Sequence, residues 1–300
     1  MAPLVIAHRG ASGYLPEHTL PAKALAHGQG ADYLEQDVVA TRDGELLVFH
    51  DLYLDALTDV RERFPGRARP DGRHYCIDFD LAEIRTLGVR ERRNPDTGAP
   101  RFPGRFPVAA GSFGIVTLEE ELAFVQGLNR STGRVAGLYP EIKEPAWHRQ
   151  HGIDVGTRLI ETLARFGYTR ASDPVFVQCF DADELQRLHT ELRVPLRLVQ
   201  LVEAGGKTLD EAALSRLAGT VDALGADLRL LLDGDRGQGL AAAARRAGLQ
   251  VHAWTVRSDQ LPTGFTRLGA LLDALYRDLR VDGIFTDFPD QVRAYCDRLP

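Results

Sequence analysis

Short apolar runs recur along the chain at regular intervals. They are rich in Val, Leu, Ile and Phe, and they lie at 4–7, 33–39, 136–142, 174–180, 196–202, 226–232, 250–256 and 283–287. Segments with a helical pattern separate most of them, among them TLEEELAFVQGL at 117–128 and DADELQRLHTEL at 181–192. Strands that are apolar on both faces and alternate with helices form parallel sheets. We therefore predict an α/β fold, a (β/α)8 TIM barrel, with a doubly wound open sheet as the alternative.

Both of these helical segments begin with a capping pattern. Thr117 and Asp181 are good N-cap residues, and Glu120 and Glu184 follow three residues later. This spacing is the capping box, in which the first side chain and the glutamate satisfy each other's backbone N–H groups. We therefore expect the two helices to begin directly after Thr117 and Asp181.

Two regions interrupt the alternation of strands and helices. Asp43-Gly44 lies between two apolar runs, which is a signal for a two-residue hairpin. Residues 52–116 then show no clear strand, hold six of the 16 prolines, and carry 11 Arg and no Lys against nine acidic residues. We predict a loop-rich subdomain inserted after the hairpin, on the rim of a single domain that spans residues 1–300. This segment is either a solvated surface or a lid that shapes substrate access.

Composition and charge exclude several classes of function. With 300 residues, 44% of them hydrophobic, the chain can bury a large core. A net charge of -6 argues against nucleic acid as a partner, and no apolar run approaches the roughly 20 residues that span a bilayer. The start, MAPLVIAHRG, shows no signal peptide, as expected of a cytoplasmic protein or of a secreted protein without its leader. The three cysteines lack metal-ligand spacing, so we expect structural thiols.

Polar side chains cluster where the predicted strands end. The group comprises His8, Arg9, Glu35, Asp37, Glu141, Lys143, Gln178, Trp254 and Asp287. In a barrel, the side chains that carry chemistry lie at the carboxyl ends of the strands. Glu35 and Asp37 are two residues apart and therefore share a face, as do Glu141 and Lys143. We expect these side chains to meet at one mouth.

Three carboxylates at one mouth require a compensating charge. Glu35, Asp37 and Glu141 would repel one another strongly unless a cation lay among them. Ligands that are all oxygen suit Ca²⁺ or Mg²⁺ rather than Zn²⁺. Each residue also has a simpler interpretation, since a strand-end carboxylate is often half of an ion pair and His8 could be a hydrogen-bonded core histidine. Their joint placement at strand ends favours a functional site.

The segment HRGASGYLPEHTLPAKALAHGQGADYLEQDVVATRDGELLVFHD resembles the amino-terminal signature of glycerophosphodiester phosphodiesterases. The resemblance continues through DGRHYCIDF, YPEIKEP, VQCFDADEL, TVRSDQLP and GIFTDFPD, and it covers nearly the whole chain. It is closest to the periplasmic, calcium-dependent bacterial enzymes. The P-E-N-T of the broader family reads Pro-Glu-His-Thr here, with His18 in place of Asn. The resemblance implies a (β/α)8 barrel with an insertion after the HD motif.

The resemblance also implies roles for residues at matching positions. The metal ligands would be Glu35, Asp37 and Glu141. The acid–base pair would be His8 and His50, and the phosphate-binding cations would be Arg9 and Lys143. We further expect substrate contacts from Gln178, Phe180 and Trp254, with the two aromatic rings forming an apolar wall behind the glycerol carbon chain.

The implied reaction is the hydrolysis of glycerophosphodiesters, such as glycerophosphocholine and glycerophosphoethanolamine, to glycerol 3-phosphate and an alcohol. The expected cofactor is one divalent cation, Ca²⁺ in preference to Mg²⁺. The nucleophile is left open between water and the glycerol 2-hydroxyl. We expect the leaving alcohol to face the mouth or the rim of residues 52–116 and to be recognised loosely.

Two other functions are compatible with the same residues. One is a phospholipase-like barrel that acts on intact lipids, and the other is a surface binding protein or adhesin that retains the site. We expect a small-molecule substrate, no nucleic acid, no membrane insertion, and a monomer or homodimer. The resemblance implies a periplasmic or secreted location, with a cytoplasmic one as the alternative.

Overall fold

A closed parallel barrel forms the centre of the protein. The computed structural model describes residues 3–109, 113–206 and 209–299. Its strands are β1 (Leu4–Ala7), β2 (Tyr33–Ala40), β3 (Leu46–Val48), β4 (Gly137–Ile142), β5 (Phe176–Cys179), β6 (Arg197–Val202), β7 (Ala223–Asp227), β8 (Gln250–Val256) and β9 (Gly283–Thr286). The order β1-β9-β8-β7-β6-β5-β4-β2 closes because β1 also pairs with β2, while β3 adds to β2 as an antiparallel strand. The predicted (β/α)8 barrel is confirmed, and the open-sheet alternative is wrong.

Helices cover the outside of the barrel. They are α1 (Leu20–Gly28), α2 (Val60–Arg63), α3 (Leu81–Ile84), α4 (Leu118–Thr132), α5 (Pro145–Gln150), α6 (Val155–Arg165), α7 (Ala182–Thr190), α8 (Glu211–Leu217), α9 (Leu228–Leu231), α10 (Gly234–Arg246), α11 (Leu268–Asp273) and α12 (Pro289–Cys296). Over the described residues, no helix has both the length and the apolar character that crossing a bilayer requires.

The two predicted capping boxes have different outcomes. The Thr117 hydroxyl accepts a hydrogen bond from the Glu120 N–H, and the Glu120 carboxylate accepts one from the Thr117 N–H, as predicted. Asp181 also caps its helix, α7. The second bond, from the Asp181 N–H to Glu184, was predicted wrongly, because the buried Glu184 carboxylate pairs instead with Arg149 of α5 and with Arg187 of its own helix.

One strand was predicted at the wrong place. The run 226–232 was assigned to a strand, whereas β7 ends at Asp227 and Leu228–Leu231 form the short helix α9. Asp227 ends the strand because its carboxylate accepts the backbone N–H of Arg229 at 2.7 Å and caps the helix. The true strand was hard to detect because it contains Gly225, where a Cβ would lie 2.5 Å from the Leu201 side chain.

The barrel interior is filled just below the polar mouth. Five strands carry an apolar or aromatic residue two positions before a polar one: Ile6 before His8, Tyr33 before Glu35, Tyr139 before Glu141, Phe176 before Gln178, and Phe285 before Asp287. Residues two apart on a strand share a face, so the first members form one layer and the second members form the next. In the lower layer the Tyr139 ring stacks on Phe176, with centroids 5.1 Å apart. This packed layer is the floor of the site.

The hairpin and the segment that follows it lie beside β2. Ala40 pairs with Leu46, so the hairpin is confirmed, but its loop has five residues rather than two; Gly44 adopts φ +83° within it. The predicted insertion at 52–116 is described except for 110–112, which lie outside the described residues. It contains α2, α3 and a single 3-10 turn at Cys76–Asp78. A separate apolar cluster that includes Leu54, Phe79 and Ile84 holds it together.

Candidate active site

Three buried carboxylates meet at the carboxyl ends of neighbouring strands. Glu35 and Asp37 lie on β2 and Glu141 lies on β4, and the parallel pairing of the two strands places Asp37 opposite Glu141. One oxygen from each residue lies within 4.8 Å of the others. Asp37 Oδ1 is buried and has no hydrogen-bond partner among the described residues. This arrangement of oxygen donors fits a divalent cation.

The surroundings of these carboxylates set their charge. Burial and the charge of Asp37 raise the pKa of Glu35 well above its ordinary value, and burial raises the pKa of Glu141 to about 7. Burial opposes ionisation of Asp37 as well, but the charge of Lys143, a hydrogen bond from His18 and the charge of Arg9 hold its pKa well below the ordinary value. A full negative charge on all three groups therefore requires a nearby cation.

Glu35 is held in place by two donors. Its Oε2 accepts the backbone N–H of Arg9 at 2.8 Å, and its Oε1 accepts the amide of Gln178 at 3.0 Å. Arg9 presents its N–H from a left-handed conformation, φ +60°, which bends the chain directly after β1. The predicted substrate residue Gln178 thus contacts a carboxylate of the trio, while its Oε1 is buried and has no partner among the described residues.

Two side-chain cations flank the trio. Lys143 Nζ lies 2.7 Å from Glu141 Oε1 and 3.7 Å from Asp37 Oδ1. Arg9 Nη1 donates to Glu17 at 2.8 Å, while its buried Nε lies 3.3 Å from Asp37 Oδ2 without hydrogen-bond geometry. Glu17 binds Arg9 from the other side and keeps the guanidinium facing the mouth. Both cations therefore lie where an anion next to the carboxylate trio would contact them.

Each of the two predicted catalytic histidines is paired with an aspartate. His8 Nδ1 lies 2.6 Å from Asp287 Oδ1, and His50 Nδ1 lies 2.5 Å from Asp51 Oδ1. Because a carboxylate only accepts hydrogen bonds, Nδ1 carries the proton in each ring and Nε2 is left as the reactive nitrogen. His8 Nε2 lies 3.8 Å from Glu35 Oε2, so this ring directly adjoins the carboxylate trio.

Both rings are neutral at neutral pH. Burial, assisted by the charge of Arg9, lowers the pKa of His8 to about 4, and the same two causes lower the pKa of His50. The aspartates stay ionised. Although burial opposes it, the His8 contact and the guanidinium groups of Arg257 and Arg105 hold the pKa of Asp287 far below its ordinary value. Each histidine can therefore accept a proton and keep the resulting charge beside a carboxylate.

The predicted apolar wall lies beside Lys143. The rings of Phe180 and Trp254 meet edge to face, with centroids 5.7 Å apart, and Lys143 Nζ lies 5.9 Å from the Phe180 centroid. Phe180 is 42% exposed, which is unusual for a large apolar side chain in this protein. An exposed ring next to a half-buried lysine is a suitable contact for a carbon chain attached to a bound anion.

An open cavity of about 210 Å³ lies on the other side of the histidines. The residues that line it are His8, Arg9, Ser12, Glu17, His50, Arg92, Arg101, Phe102, Arg105, Arg257, Gln260 and Asp287. The segment 52–116 forms a wall of the cavity, because it contributes four of these residues: Arg92, Arg101, Phe102 and Arg105. The carboxylate trio, Lys143 and the aromatic wall do not line it.

Several site residues were missed by reasoning from sequence. Asp51 and Asp287 were visible in the HD motif and at the end of the last strand, but they received no role. His18, which was noted only as the replacement for the family's Asn, forms a hydrogen bond of 2.7 Å with Asp37 Oδ2 through Nε2. Arg92, which bridges Glu17 and Asp51, carried no signal, because only the tertiary fold brings its loop to the mouth.

Comparison with known proteins identifies the family. Residues 8–291 match the sequence profile described as the Glycerophosphoryl diester phosphodiesterase family. The chain belongs to this family. The glycerophosphodiester phosphodiesterase of Haemophilus influenzae is 41% identical over 319 residues, which cover 96% of this chain and 88% of that protein. The enzyme of the same name from Treponema pallidum is 35% identical, with 96% and 90% coverage.

Solved structures share the fold of this glycerophosphoryl diester phosphodiesterase family member. A phosphodiesterase of Oleispira antarctica, in complex with the product sn-glycerol-3-phosphate, has a TM-score of 0.70 at 22% identity and covers 99% of this chain and 97% of its own. A glycerophosphodiester phosphodiesterase of Agrobacterium tumefaciens has a TM-score of 0.65 at 22% identity, with 97% and 99% coverage. Family membership makes the present chain a phosphoric diester hydrolase.

Proposed function

We propose that this enzyme hydrolyses glycerophosphocholine, glycerophosphoethanolamine and similar diesters to glycerol 3-phosphate and an alcohol, with one bound divalent cation and two histidines as acid and base. The observation that carries this proposal is the position of two His–Asp pairs beside a buried carboxylate trio. The trio supplies oxygen ligands, and the two Nε2 atoms supply proton transfer at one mouth. The Oleispira antarctica complex supports glycerol 3-phosphate as the product.

The residues that would hold the cation are Glu35, Asp37 and Glu141. We propose Ca²⁺ in preference to Mg²⁺, because Ca²⁺ takes six to eight oxygen ligands in flexible geometry and leaves positions for substrate hydroxyls. When bound, the cation would offset charge on the phosphoryl oxygens and lower the proton affinity of a ligating hydroxyl. The unpartnered Oδ1 of Asp37 supports this assignment, since a buried acceptor without a donor is costly.

The side-chain cations would bind the phosphate. Arg9 has a buried Nε that forms no hydrogen bond within the described ranges, and Lys143 is held by Glu141, so both can contact phosphoryl oxygens with little rearrangement. Neutralising this anion matters because a phosphodiester repels nucleophiles and releases a poor alkoxide. Phe180 and Trp254 would contact the glycerol carbons on the same side, which places the leaving alcohol toward the cavity.

The histidines would exchange the protons. One Nε2 accepts a proton from the nucleophile as the new P–O bond forms, and the other donates a proton to the alcohol oxygen as the old P–O bond breaks. His8 and His50 are both neutral in the free enzyme, so the ring that acts as the acid first takes up a proton from solvent at Nε2. The negative charge of the bound phosphodiester raises the proton affinity of the nearer ring and favours this uptake. Asp287 and Asp51 stabilise whichever imidazolium forms.

The nucleophile is either water or the glycerol 2-hydroxyl. Attack by the hydroxyl would give a cyclic phosphate that water opens in a second step. The two routes differ in an observable way, because a diester in which the 2-hydroxyl is replaced by hydrogen can react only by the water route. The rate at which the enzyme hydrolyses that analogue, relative to the parent diester, measures how much of the reaction uses water as the nucleophile.

The biological setting is also part of the proposal. The substrate is a small molecule rather than nucleic acid, and the protein acts as a monomer or homodimer. The periplasmic or secreted location is proposed on the sequence resemblance to the calcium-dependent enzymes. The mouth is polar and, within the described residues, Phe180 is the one large exposed apolar side chain near it, which suits a water-soluble diester better than an intact lipid.

Product analysis tests the proposed function. Purified protein with added Ca²⁺ is incubated with glycerophosphocholine, and glycerol 3-phosphate and choline are quantified. We expect equimolar release of both products and no comparable cleavage of intact phosphatidylcholine. Binding of the diester with no turnover would contradict the proposal and favour a binding protein, and preferential cleavage of the intact lipid would favour a phospholipase.

A further inference from the structure

We propose that the arginine-rich cavity is a subsite for leaving alcohols that carry their own negative charge, with a phosphorylated alcohol as the preferred class. This inference rests on the proposed function and extends it, because it names the substrate group that the segment 52–116 recognises. From the sequence we expected the leaving alcohol to be recognised loosely, whereas the proposed subsite selects it by charge.

The position of the cavity assigns it to the leaving alcohol. His8, His50 and Arg9 line it, so it adjoins the place where the phosphate would lie. The carboxylate trio and the wall formed by Phe180 and Trp254 lie outside it, and these are the groups assigned to the glycerol side. A diester whose phosphorus lies between the two histidines therefore extends its second ester arm into the cavity.

The cavity carries an excess of positive charge. Five arginines line it, Arg9, Arg92, Arg101, Arg105 and Arg257, against two lining carboxylates, Glu17 and Asp287. Asp51 and Asp259 lie behind the wall and pair with Arg92 and Arg105. Together with Asp37, which lies 3.3 Å from Arg9, these carboxylates equal the arginines in number, but only two of the five line the cavity, so the surface that a ligand meets is cationic and favours an anion.

Arg101 is the arginine that remains available. Arg92, Arg105 and Arg257 each form ion pairs, but Arg101 has no carboxylate partner among the described residues. Its backbone N–H donates to the Arg92 carbonyl oxygen at 2.8 Å, which fixes its loop beside the wall. An exposed guanidinium anchored at the edge of a cationic cavity is suited to bidentate binding of a phosphate group.

The aromatic residue in the cavity does not form a choline site. Phe102 already contacts guanidinium groups, with Arg105 3.7 Å, Arg101 5.7 Å and Arg257 5.9 Å from its centroid. Recognition of a quaternary ammonium uses several open aromatic faces, whereas this face is occupied by cations. The ring instead orders the arginines, and a cationic head group would meet like charge.

Kinetics with three matched diesters test this assignment. The substrates are glycerophosphocholine, glycerophosphoglycerol, and glycerophosphoglycerol with a phosphate monoester on the terminal hydroxyl of the leaving glycerol. We expect the phosphorylated substrate to exceed glycerophosphoglycerol in kcat/KM by about tenfold, the scale of one charge-assisted contact, and to exceed glycerophosphocholine by more. The preference should weaken as ionic strength rises.

Three variants locate the effect. In Arg101→Gln the ratio of kcat/KM for the phosphorylated and unphosphorylated glycerol substrates should fall by about tenfold, and Arg101→Lys should restore part of it. Arg216→Gln, which removes an exposed arginine of α8 outside the cavity lining, should leave the ratio at the wild-type value.

The outcomes separate the two proposals. If the wild-type enzyme hydrolyses none of the three diesters, the proposed function is wrong, and this inference is overturned with it. If it hydrolyses them with equal efficiency, or prefers glycerophosphocholine, the function stands and the anionic subsite is overturned. An equal loss for all three substrates in Arg101→Gln would also overturn it, because Arg101 would then act on the phosphate that they share.

Discussion

Arg105 donates a hydrogen bond of 2.7 Å to Asp287, from a loop of the segment 52–116 to the end of the last barrel strand. The other oxygen of Asp287 contacts Nδ1 of His8. The inserted segment therefore completes the environment of a proposed catalytic histidine, in addition to forming a wall of the cavity. Because Arg105 helps to keep Asp287 ionised, it supports the tautomer of His8 that leaves Nε2 free.

Replacing Asp287 tests this support. Asp287→Asn should lower kcat by about 10²–10⁴, because an amide no longer fixes the Nδ1–H tautomer of His8 or stabilises its imidazolium. KM should change much less. Asp259→Asn is the matched control, since Asp259 contacts the same Arg105 without touching His8, and it should cost less than about fivefold. Equal losses in the two variants would show that Asp287 acts only through Arg105.

The carboxylate trio makes a prediction about metal binding. Asp37→Ala should abolish detectable Ca²⁺ binding in calorimetry together with activity, because it removes a buried oxygen ligand that has no hydrogen-bond partner in the described part of the chain. The fold should persist, as judged by circular dichroism. Asp227→Asn, at the end of another barrel strand, should bind Ca²⁺ as the wild type does. Unchanged affinity in Asp37→Ala would place the cation elsewhere.

The two histidines should contribute on a similar scale. We expect His8→Ala and His50→Ala each to lose about 10²–10⁴ in kcat, the usual range for acid–base residues, with a far smaller change in substrate affinity. His189→Ala, an exposed helix position, is the control. A variant at His8 or His50 that retains near wild-type kcat would exclude that residue from proton transfer.

Glu91 makes a prediction about stability. This side chain is 3% exposed, its Oε2 has no partner among the described residues, and burial raises its pKa from 4.5 to about 7. Between these two pH values the folded state retains a proton that the unfolded state has released, so this group lowers stability as pH rises through the window. Glu91→Gln removes the effect.

The measurement is chemical unfolding at pH 5 and pH 8. The change in unfolding free energy caused by Glu91→Gln should be more favourable at pH 8 than at pH 5 by about 1–3 kcal/mol. Glu62→Gln, at an exposed position of the same segment, should show no such difference. A difference of the opposite sign would mean that Glu91 is ionised and stabilising in the folded protein.

The fold could be predicted from the sequence because parallel strands leave a strong local signal. Runs such as 136–142 and 250–256 are apolar on both faces, and helices with recognisable caps separate them. The apolar pattern misplaced β7, because this strand contains small inward residues such as Gly225. Its sequence is therefore less apolar than that of the leucine-rich helix that follows. The capping box at Glu184 was predicted wrongly for a different reason: its carboxylate pairs with Arg149, which is distant in sequence, and with Arg187 of the same helix instead of the capping N–H.

The site could be predicted in part. Glu35 and Asp37 share a face by the two-residue period of a strand, and the barrel topology brings Glu141 to the same end. The contacts of Arg92, Arg101 and Arg105 could not be predicted, because irregular loops have no periodicity that fixes the direction of a side chain. Their positions depend on the packing of residues such as Leu54 and Phe79 in a separate apolar cluster.

The most direct test of the whole account is the rate of glycerol 3-phosphate release from glycerophosphocholine by chelator-treated enzyme, before and after Ca²⁺ is restored. The account predicts negligible turnover without the cation and full recovery when Ca²⁺ is returned. Asp37→Ala should show no recovery at the Ca²⁺ concentrations that restore the wild-type enzyme. Undiminished turnover after chelation, with the loss of bound metal verified, would contradict the proposed role of the carboxylate trio.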